Sequence, residues 1–337
     1  MTKFLSDPTV IFPIIMQRLV RCVVLDIDGV LLRGSSPIKN AAKTIEILQK
    51  NRFPFLLMTN GGGCQEMEKA TQVNKKLGLE SKYHVSKDQV LLCHTPFKDI
   101  VHDYKNQQVL VLGNEKKCRD VALDYGFSPI FPSQIVDAYP TIWTHSNKKA
   151  KGKLDLDIQA ALIFHDPVDW SLEMQVLSDV LLGDYTKNKS NPNNEQVIQF
   201  YASNADLVYT TEHNRHRYTQ GAFTEAFRCI FEQYTKTQLD ILYCGKPFTI
   251  QYRYAEKQLR TLIKHLNLTE DSKLKCYAIG DNPLSDIAGA NNAGDNWTSI
   301  LVKTGVHTSN DNDERNPADY MYGNVYDAVQ DILNEKI

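Results

Sequence analysis

Short apolar runs alternate with amphipathic stretches along almost the whole chain, and this alternation limits the possible fold more than any other feature. "CVVLDI" (22–27) is followed by a helical pattern over 39–50, with Ala41, Ile45 and Leu48 at helical spacing. "FPFLLMTN" (53–60) reads as a second buried strand, and 65–77 as a helix ending at Gly78. Residues 89–104 carry a further helical pattern. Apolar runs without polar alternation belong to strands covered on both faces. The order strand–helix–strand–helix therefore predicts an α/β fold on a parallel sheet.

The alternation resumes at "QQVLVLG" (107–113), with a helix over 115–125, the strand "AALIF" (160–164) and an amphipathic helix over 171–182. A polar stretch over 133–158 reads as irregular, and "DYTKNKSNPNNEQ" (184–196) as an exposed loop. Beyond "VIQFYASNADLVY" come a helix over 221–234, "ILYCGKP" and a helix over 249–266. "KCYAIGD" and "SILVKTG" read as strands, with a helix over 284–293 between them and a last one near 325–335. A chain of 337 residues is long for one small domain. Residues 1–106 and 204–337 are expected to form one unit, and 107–203 a second unit inserted into it.

Composition excludes several classes of function. A net charge of −2 and a pI near 6.5 leave no electrostatic footprint for nucleic acid or an acidic membrane surface. The short basic cluster Lys148, Lys149, Lys151 and Lys153 lacks interleaved aromatics and reads as a solvated loop. The seven cysteines show no metal-ligand spacing; Cys22, Cys229 and Cys276, in apolar surroundings, read as buried reduced thiols. No apolar run approaches the roughly 18 residues of a membrane-spanning helix. Lys3, Arg18 and Arg21 against Asp7 resemble a mitochondrial presequence, although a disordered lead-in of a cytoplasmic protein fits the same residues.

The first strand ends in Asp26 and Asp28, although an unpaired buried carboxylate is costly. Four short stretches share that position at strand ends or in loops beside them: Asp26-Ile27-Asp28-Gly29, Thr59-Asn60-Gly61, Gly245-Lys246-Pro247, and Gly280-Asp281 with Asp286 five residues on. In an open α/β sheet that edge binds ligands. Asp26, Asp28 and Asp281 converging there require a lysine and a divalent cation, and an all-oxygen set suits Mg²⁺. The histidines, including His145 and His165 in the inserted segment, show no zinc spacing.

In this order the four stretches resemble the motifs of the haloacid dehalogenase (HAD) superfamily of phosphohydrolases. "DIDGVLLRG", "TNGGG", "HTPFK", "HDPVDW", "GDNPLSDIAGAN" and "LVKTGV" are similar to the cat eye syndrome critical region protein 5 family. The resemblance implies a Rossmann-like core with a smaller inserted α/β cap of the larger, C2 type. It implies a Mg²⁺-dependent phosphatase acting on a small phosphorylated metabolite, located in the mitochondrion. Asp26 would be the nucleophile and Asp28 the general acid and base. Thr59, with the backbone around Asn60 and Gly61, would hold phosphoryl oxygens, and Lys246 would neutralise developing charge. Asp26, the Asp28 carbonyl and Asp281 would hold Mg²⁺, with Asp286 orienting that shell or Lys246. In the cap loop "FHDPVDW", Phe164, His165, Asp166 and Trp170 are expected to contact substrate. A HAD-like protein that binds a ligand or partner without turnover, and a phosphotransferase, are the alternatives; a homodimer is compatible with each.

Overall fold

The computed structural model of the protein describes residues 19–143, 149–187, 190–209, 213, 215–265 and 272–337. Lys3, Asp7, Arg18, His145 and Lys148 of the sequence argument lie outside these residues.

Two parallel sheets carry the fold. The chain begins the first with β1 (Leu19–Leu25), β2 (Phe55–Thr59) and β3 (Val90–Leu92). It then builds all of the second: β4 (Gln108–Leu112), β5 (Ser128–Ile130), β6 (Ile158–Ile163), β7 (Gln199–Ala202) and β8 (Leu242–Tyr243). It returns to the first with β9 (Lys273–Gly280), β10 (Trp297–Val302) and β11 (Tyr320–Tyr322). The strand orders are β11-β10-β9-β1-β2-β3 and β8-β7-β6-β4-β5, with every neighbouring pair parallel.

The longer helices are α1 (Ala41–Lys50), α2 (Glu66–Leu77), α3 (Glu115–Tyr125), α4 (Pro132–Ala138), α5 (Trp170–Leu181), α6 (Gln220–Thr235), α7 (Thr249–His265), α8 (Ala288–Ala293) and α9 (Val325–Leu333). Period-two alternation sorts each strand between two cores. Val23, Leu25 and Leu57 face α1, α2 and α9, whereas Cys22, Val24, Leu56 and Met58 face Tyr252, Ala255 and Leu259 of α7. The central strands are thus apolar on both sides, as the sequence pattern requires.

The second sheet takes in more chain than 107–203. Phe223, Phe227 and Phe231 of α6 join Leu110, Leu112, Ile163 and Phe200 in one core, and β8 pairs with β7 through Leu242↔Tyr201. This unit therefore extends to Tyr243. Fully burying each of those phenylalanines contributes roughly 1.5–3 kcal/mol, enough to decide which sheet α6 covers. The same stripe corrects Cys229: two residues past Phe227, it falls on the opposite side of α6 and is exposed.

Two local expectations also change. Residues 89–104 are not one helix: Val90–Leu92 is a buried edge strand, followed by short helical turns over Phe97–Ile100 and Val101–Tyr104. Pro96 bars a continuous helix through this stretch by restricting its own φ and the residue before it. The 133–158 stretch contains most of α4, whose Pro132 at the first turn is a helix start.

Candidate active site

Register brings the strand ends together. Leu25 pairs with Ile279 on one side and with Leu57 on the other, so the chain leaving β1 at Asp26 emerges between Asp281 and Thr59. The Asp26 N–H still donates to Ile279 O at 2.9 Å, which ties it to the ladder. Asp26, Asp281, Asp286 and Lys246 are 7%, 3%, 5% and 2% exposed. Lys246 follows β8 and precedes a cis bond to Pro247. Its ammonium donates to Asp26 Oδ1 and Asp286 Oδ1, both at 2.6 Å, and to Met58 O at 3.2 Å.

The carboxylates sit in a cradle that side chains would fill. At Gly29, where φ is +95°, a Cβ would come within 2.4 Å of the Asp281 carboxylate; at Gly305 it would come within 1.9 Å. Only glycine fits either place. The Val306 N–H donates to Asp281 Oδ2 at 2.5 Å. Asp286 lies on a π-helical turn over Pro283–Ile287, a form concentrated at functional sites. Its Oδ2 accepts from the Asp281 and Asn282 N–H groups at 3.2 and 3.1 Å. Asp286 thus holds both the Asp281 backbone and the Lys246 ammonium.

Asp26, Asp281 and Asp286 each offer an oxygen within 4.8 Å of the others. Burial pushes the Asp26 carboxyl up; Lys246 pulls it down, and Asp286, Asp281 and Asp28 push it up again. Asp281 is pushed up to about 7, by burial first and by Asp286 next. Burial works against the Lys246 charge, but Asp26 and Asp286 outweigh it and hold the ammonium protonated. Three buried carboxyl groups stand beside one ammonium, which bonds two of them, and the upward shifts of Asp26 and Asp281 reflect the cost of charging all three with that single cation. An all-oxygen donor set of this charge fits a hard divalent cation. The Asp28 side chain stands outside this cluster and is exposed.

Thr59 is buried, and its Oγ1 accepts from the Gly61 N–H at 3.0 Å, leaving its own proton free to donate. The Asn60 side chain is engaged within the protein instead of facing a ligand. Its Nδ2 donates to Lys246 O at 3.0 Å and Asp206 Oδ2 at 2.9 Å, and its Oδ1 accepts from the Lys246 N–H at 2.9 Å. The amide is therefore a clamp on the backbone that presents Lys246. Asn204 adds a bond to Asn60 O at 3.3 Å. Asn204 and Asp206 carry no motif, and the sequence reading missed them.

The second-sheet loop is divided. Phe164 is fully buried, packing against Phe97 and His94 in the core of its own sheet. Asp166 Oδ1 accepts from Thr219 Oγ1 at 2.6 Å and the Gln220 N–H at 2.9 Å, which caps α6. Trp170 donates to Pro167 O and packs on Tyr218 and Phe223. These three stabilise the second unit; their polar and aromatic character came from its packing. His165 and the Phe164 carbonyl reach across: a Cβ at Gly62 would lie 2.8 Å from Phe164 O. A Cβ at Gly63, where φ is +72°, would lie 2.1 Å from His165 Cδ2, so the glycines after Asn60 let the two units touch.

Residues 23–128 match the family described as haloacid dehalogenase-like hydrolase, and 243–328 the family described as HAD-hydrolase-like. The chain is 30% identical over 341 residues to a mitochondrial hydrolase of Saccharomyces cerevisiae, covering 92% of this chain and 94% of that one. It is 34% identical over 333 residues to a cardiolipin synthase (CMP-forming)/mitochondrial hydrolase fusion protein of Schizosaccharomyces pombe. That match covers 94% of this chain, which spans about half (53%) of the fusion protein's length. A glycerol phosphate phosphatase of Mycobacterium tuberculosis, solved with magnesium, superposes with a TM-score of 0.62 at 18% identity. The superposition covers 91% of this chain and 75% of that one and shows the shared fold. Motif order, site geometry and these likenesses agree: the chain belongs to the haloacid dehalogenase-like hydrolases.

Proposed function

We propose that the chain is a Mg²⁺-dependent phosphohydrolase of a small phosphorylated metabolite, working through an aspartyl-phosphate. The observation that carries this reading is the excess of buried carboxylate over ammonium where Asp26, Asp281, Asp286 and Lys246 meet. Asp26, the Asp28 carbonyl and Asp281 would hold Mg²⁺, which when bound neutralises charge on phosphoryl oxygens.

Lys246 holds Asp26 Oδ1, so Oδ2 is the oxygen that attacks phosphorus. A bond forms from phosphorus to that carboxylate oxygen as the bond to the substrate's alcohol oxygen breaks. Asp28, exposed to solvent, gives its proton to the departing alkoxide. As a carboxylate it then takes a proton from the water that attacks the aspartyl-phosphate. Inorganic phosphate leaves, and both aspartates are restored. The Thr59 hydroxyl donates to a phosphoryl oxygen throughout.

The second-sheet unit acts as the cap in this reading, touching the core at Gly63 through His165 and excluding water from the strand ends. The solved magnesium-containing phosphatase supports the metal and the phosphoester substrate. The names of the two fungal relatives and the basic residues Lys3, Arg18 and Arg21 support a mitochondrial location.

Hydrolysis of p-nitrophenyl phosphate with and without Mg²⁺ tests the reading, with Asp26→Asn as control. The amide cannot form the acyl-phosphate, so kcat is expected to fall by about 10³-fold or more with an unchanged circular dichroism spectrum. Activity within a few-fold of wild type would remove Asp26 as nucleophile.

A further inference from the structure

Lys246 is fully engaged, but a second ammonium reaches the same sheet edge. Lys69 lies on α2, half-buried, with its side chain over the loop that follows β2. A Cβ built at Gly61 would lie 3.3 Å from Thr59 Oγ1 and 3.6 Å from Lys69 Nζ, so hydroxyl and ammonium flank one point of this loop.

On a helix, Lys69 would ordinarily pair with Glu66 three residues earlier. Glu66 is turned inward instead, where its Oε1 accepts from Thr95 Oγ1, Lys98 Nζ and Tyr125 OH at 2.9, 2.9 and 2.7 Å. Glu68, adjacent in sequence, points from a different side of the helix. Among the described residues no carboxylate forms an ion pair with Lys69.

The opposite wall carries a further lysine. Lys117, exposed in the first turn of α3, has no ion pair among the described residues; with Lys69 it acts on His165, against Asp166, and on Cys64, against Glu68 and Glu66. His165 Nδ1 is buried without a hydrogen-bond partner among the described residues. Asp166, beside it, is taken up in capping α6. Two lysines and an imidazole therefore border the cleft between the units, and the acids near them, Glu66, Glu68 and Asp166, each accept hydrogen bonds from within the protein and form no ion pair with either lysine.

We propose that Lys69, with Lys117 and His165 across the cleft, recognises a second anionic group on the substrate, a carboxylate or a further phosphate carried by the alcohol that leaves. This rests on the phosphohydrolase reading above and narrows its substrate class. The transferred phosphoryl already has Thr59 and the cation site; what lacks a counter-charge is the cleft beyond Gly61.

The test compares initial rates on p-nitrophenyl phosphate, glycerol 3-phosphate, 3-phosphoglycerate, propanediol bisphosphate and phosphocholine. Wild type is expected to favour the carboxylate or the bisphosphate, and which of the two wins assigns the anion. Lys69→Gln should lower kcat/KM for that substrate about tenfold or more, chiefly through KM, leaving glycerol 3-phosphate and p-nitrophenyl phosphate within about twofold. Lys117→Gln should do the same more weakly. Lys69→Glu should deepen the loss and raise the rate on phosphocholine relative to the other substrates. An equal fall on all substrates would assign Lys69 to the transferred phosphoryl and overturn the proposal, as would no change on any. Wild type that hydrolyses p-nitrophenyl phosphate without preferring an anionic tail overturns this inference alone. No turnover of any substrate with Mg²⁺ removes both readings.

Discussion

Replacing Asn60 by alanine separates a positioning residue from a substrate contact. The side chain makes two hydrogen bonds with the Lys246 backbone and one with the Asp206 carboxylate. A neutral bond contributes about 1 kcal/mol and one to a charged group about 2, so together the loss is about 4 kcal/mol. At roughly 2 °C per kcal/mol for a large chain, the melting temperature should fall by about 8 °C. Loss of the clamp lets the Lys246 backbone drift, and displacement of a catalytic group by about 1 Å costs about 10²-fold in rate. Scanning fluorimetry and steady-state kinetics read both effects: kcat should fall while KM stays nearly constant.

Asn60→Asp sharpens the argument. It keeps an acceptor for the Lys246 N–H but sets a carboxylate against Asp206, whose carboxyl burial already pushes up while the Asn60 amide pulls it down. Losing that amide raises the folded-state pKa further above the unfolded value. Stability from such a group is fully present below the unfolded pKa and lost as pH rises through the folded one. The variant should therefore be least stable near pH 8 and recover toward acid more steeply than Asn60→Ala, which loses the same amide but adds no second carboxylate. Stability of Asn60→Ala within about 1 kcal/mol of wild type, with a raised KM, would refute the clamp and restore Asn60 as a ligand to substrate.

Three further outcomes are expected. Mg²⁺ should raise the melting temperature of wild type by mass action, and much less that of Asp281→Ala; equal shifts would take Asp281 out of the metal shell. Asp166→Ala should lose about 1–2 kcal/mol from the α6 cap without altering KM, so a KM effect at unchanged stability would return it to the substrate. The Tyr125 hydroxyl donates to Glu66, so His94 Nδ1–H donates to Tyr125 and leaves Nε2 buried without a partner among the described residues. Burial lowers the His94 pKa to about 4; between the unfolded value near 6.5 and that pH, only the unfolded chain takes the proton. Wild type should thus lose roughly 3 kcal/mol more than His94→Phe across that window, and parallel pH–stability curves by urea denaturation would contradict it.

What the sequence determined by itself is local and periodic. The apolar runs of β1, β2 and β9 admit burial on both faces only, which made the parallel sheet legible, and aspartates at the ends of β1 and β9 marked its functional edge. Gly29 could be read beside Asp28, but the reason for it, the Asp281 carboxylate where its Cβ would lie, is a contact with a residue far along the chain. The fates of Asn60, Phe164, Asp166 and Lys69 were likewise decided only by tertiary structure. Asn60 and Asp166 are polar because a backbone from another segment needed a partner there. Lys69 is free because Glu66 found three donors elsewhere. Nor could hydrophobic period tell which sheet α6 would cover, since an apolar stripe specifies that a face is buried and not what buries it. Periodicity is written residue by residue along the chain, whereas the choice of partner is settled only where distant backbones meet.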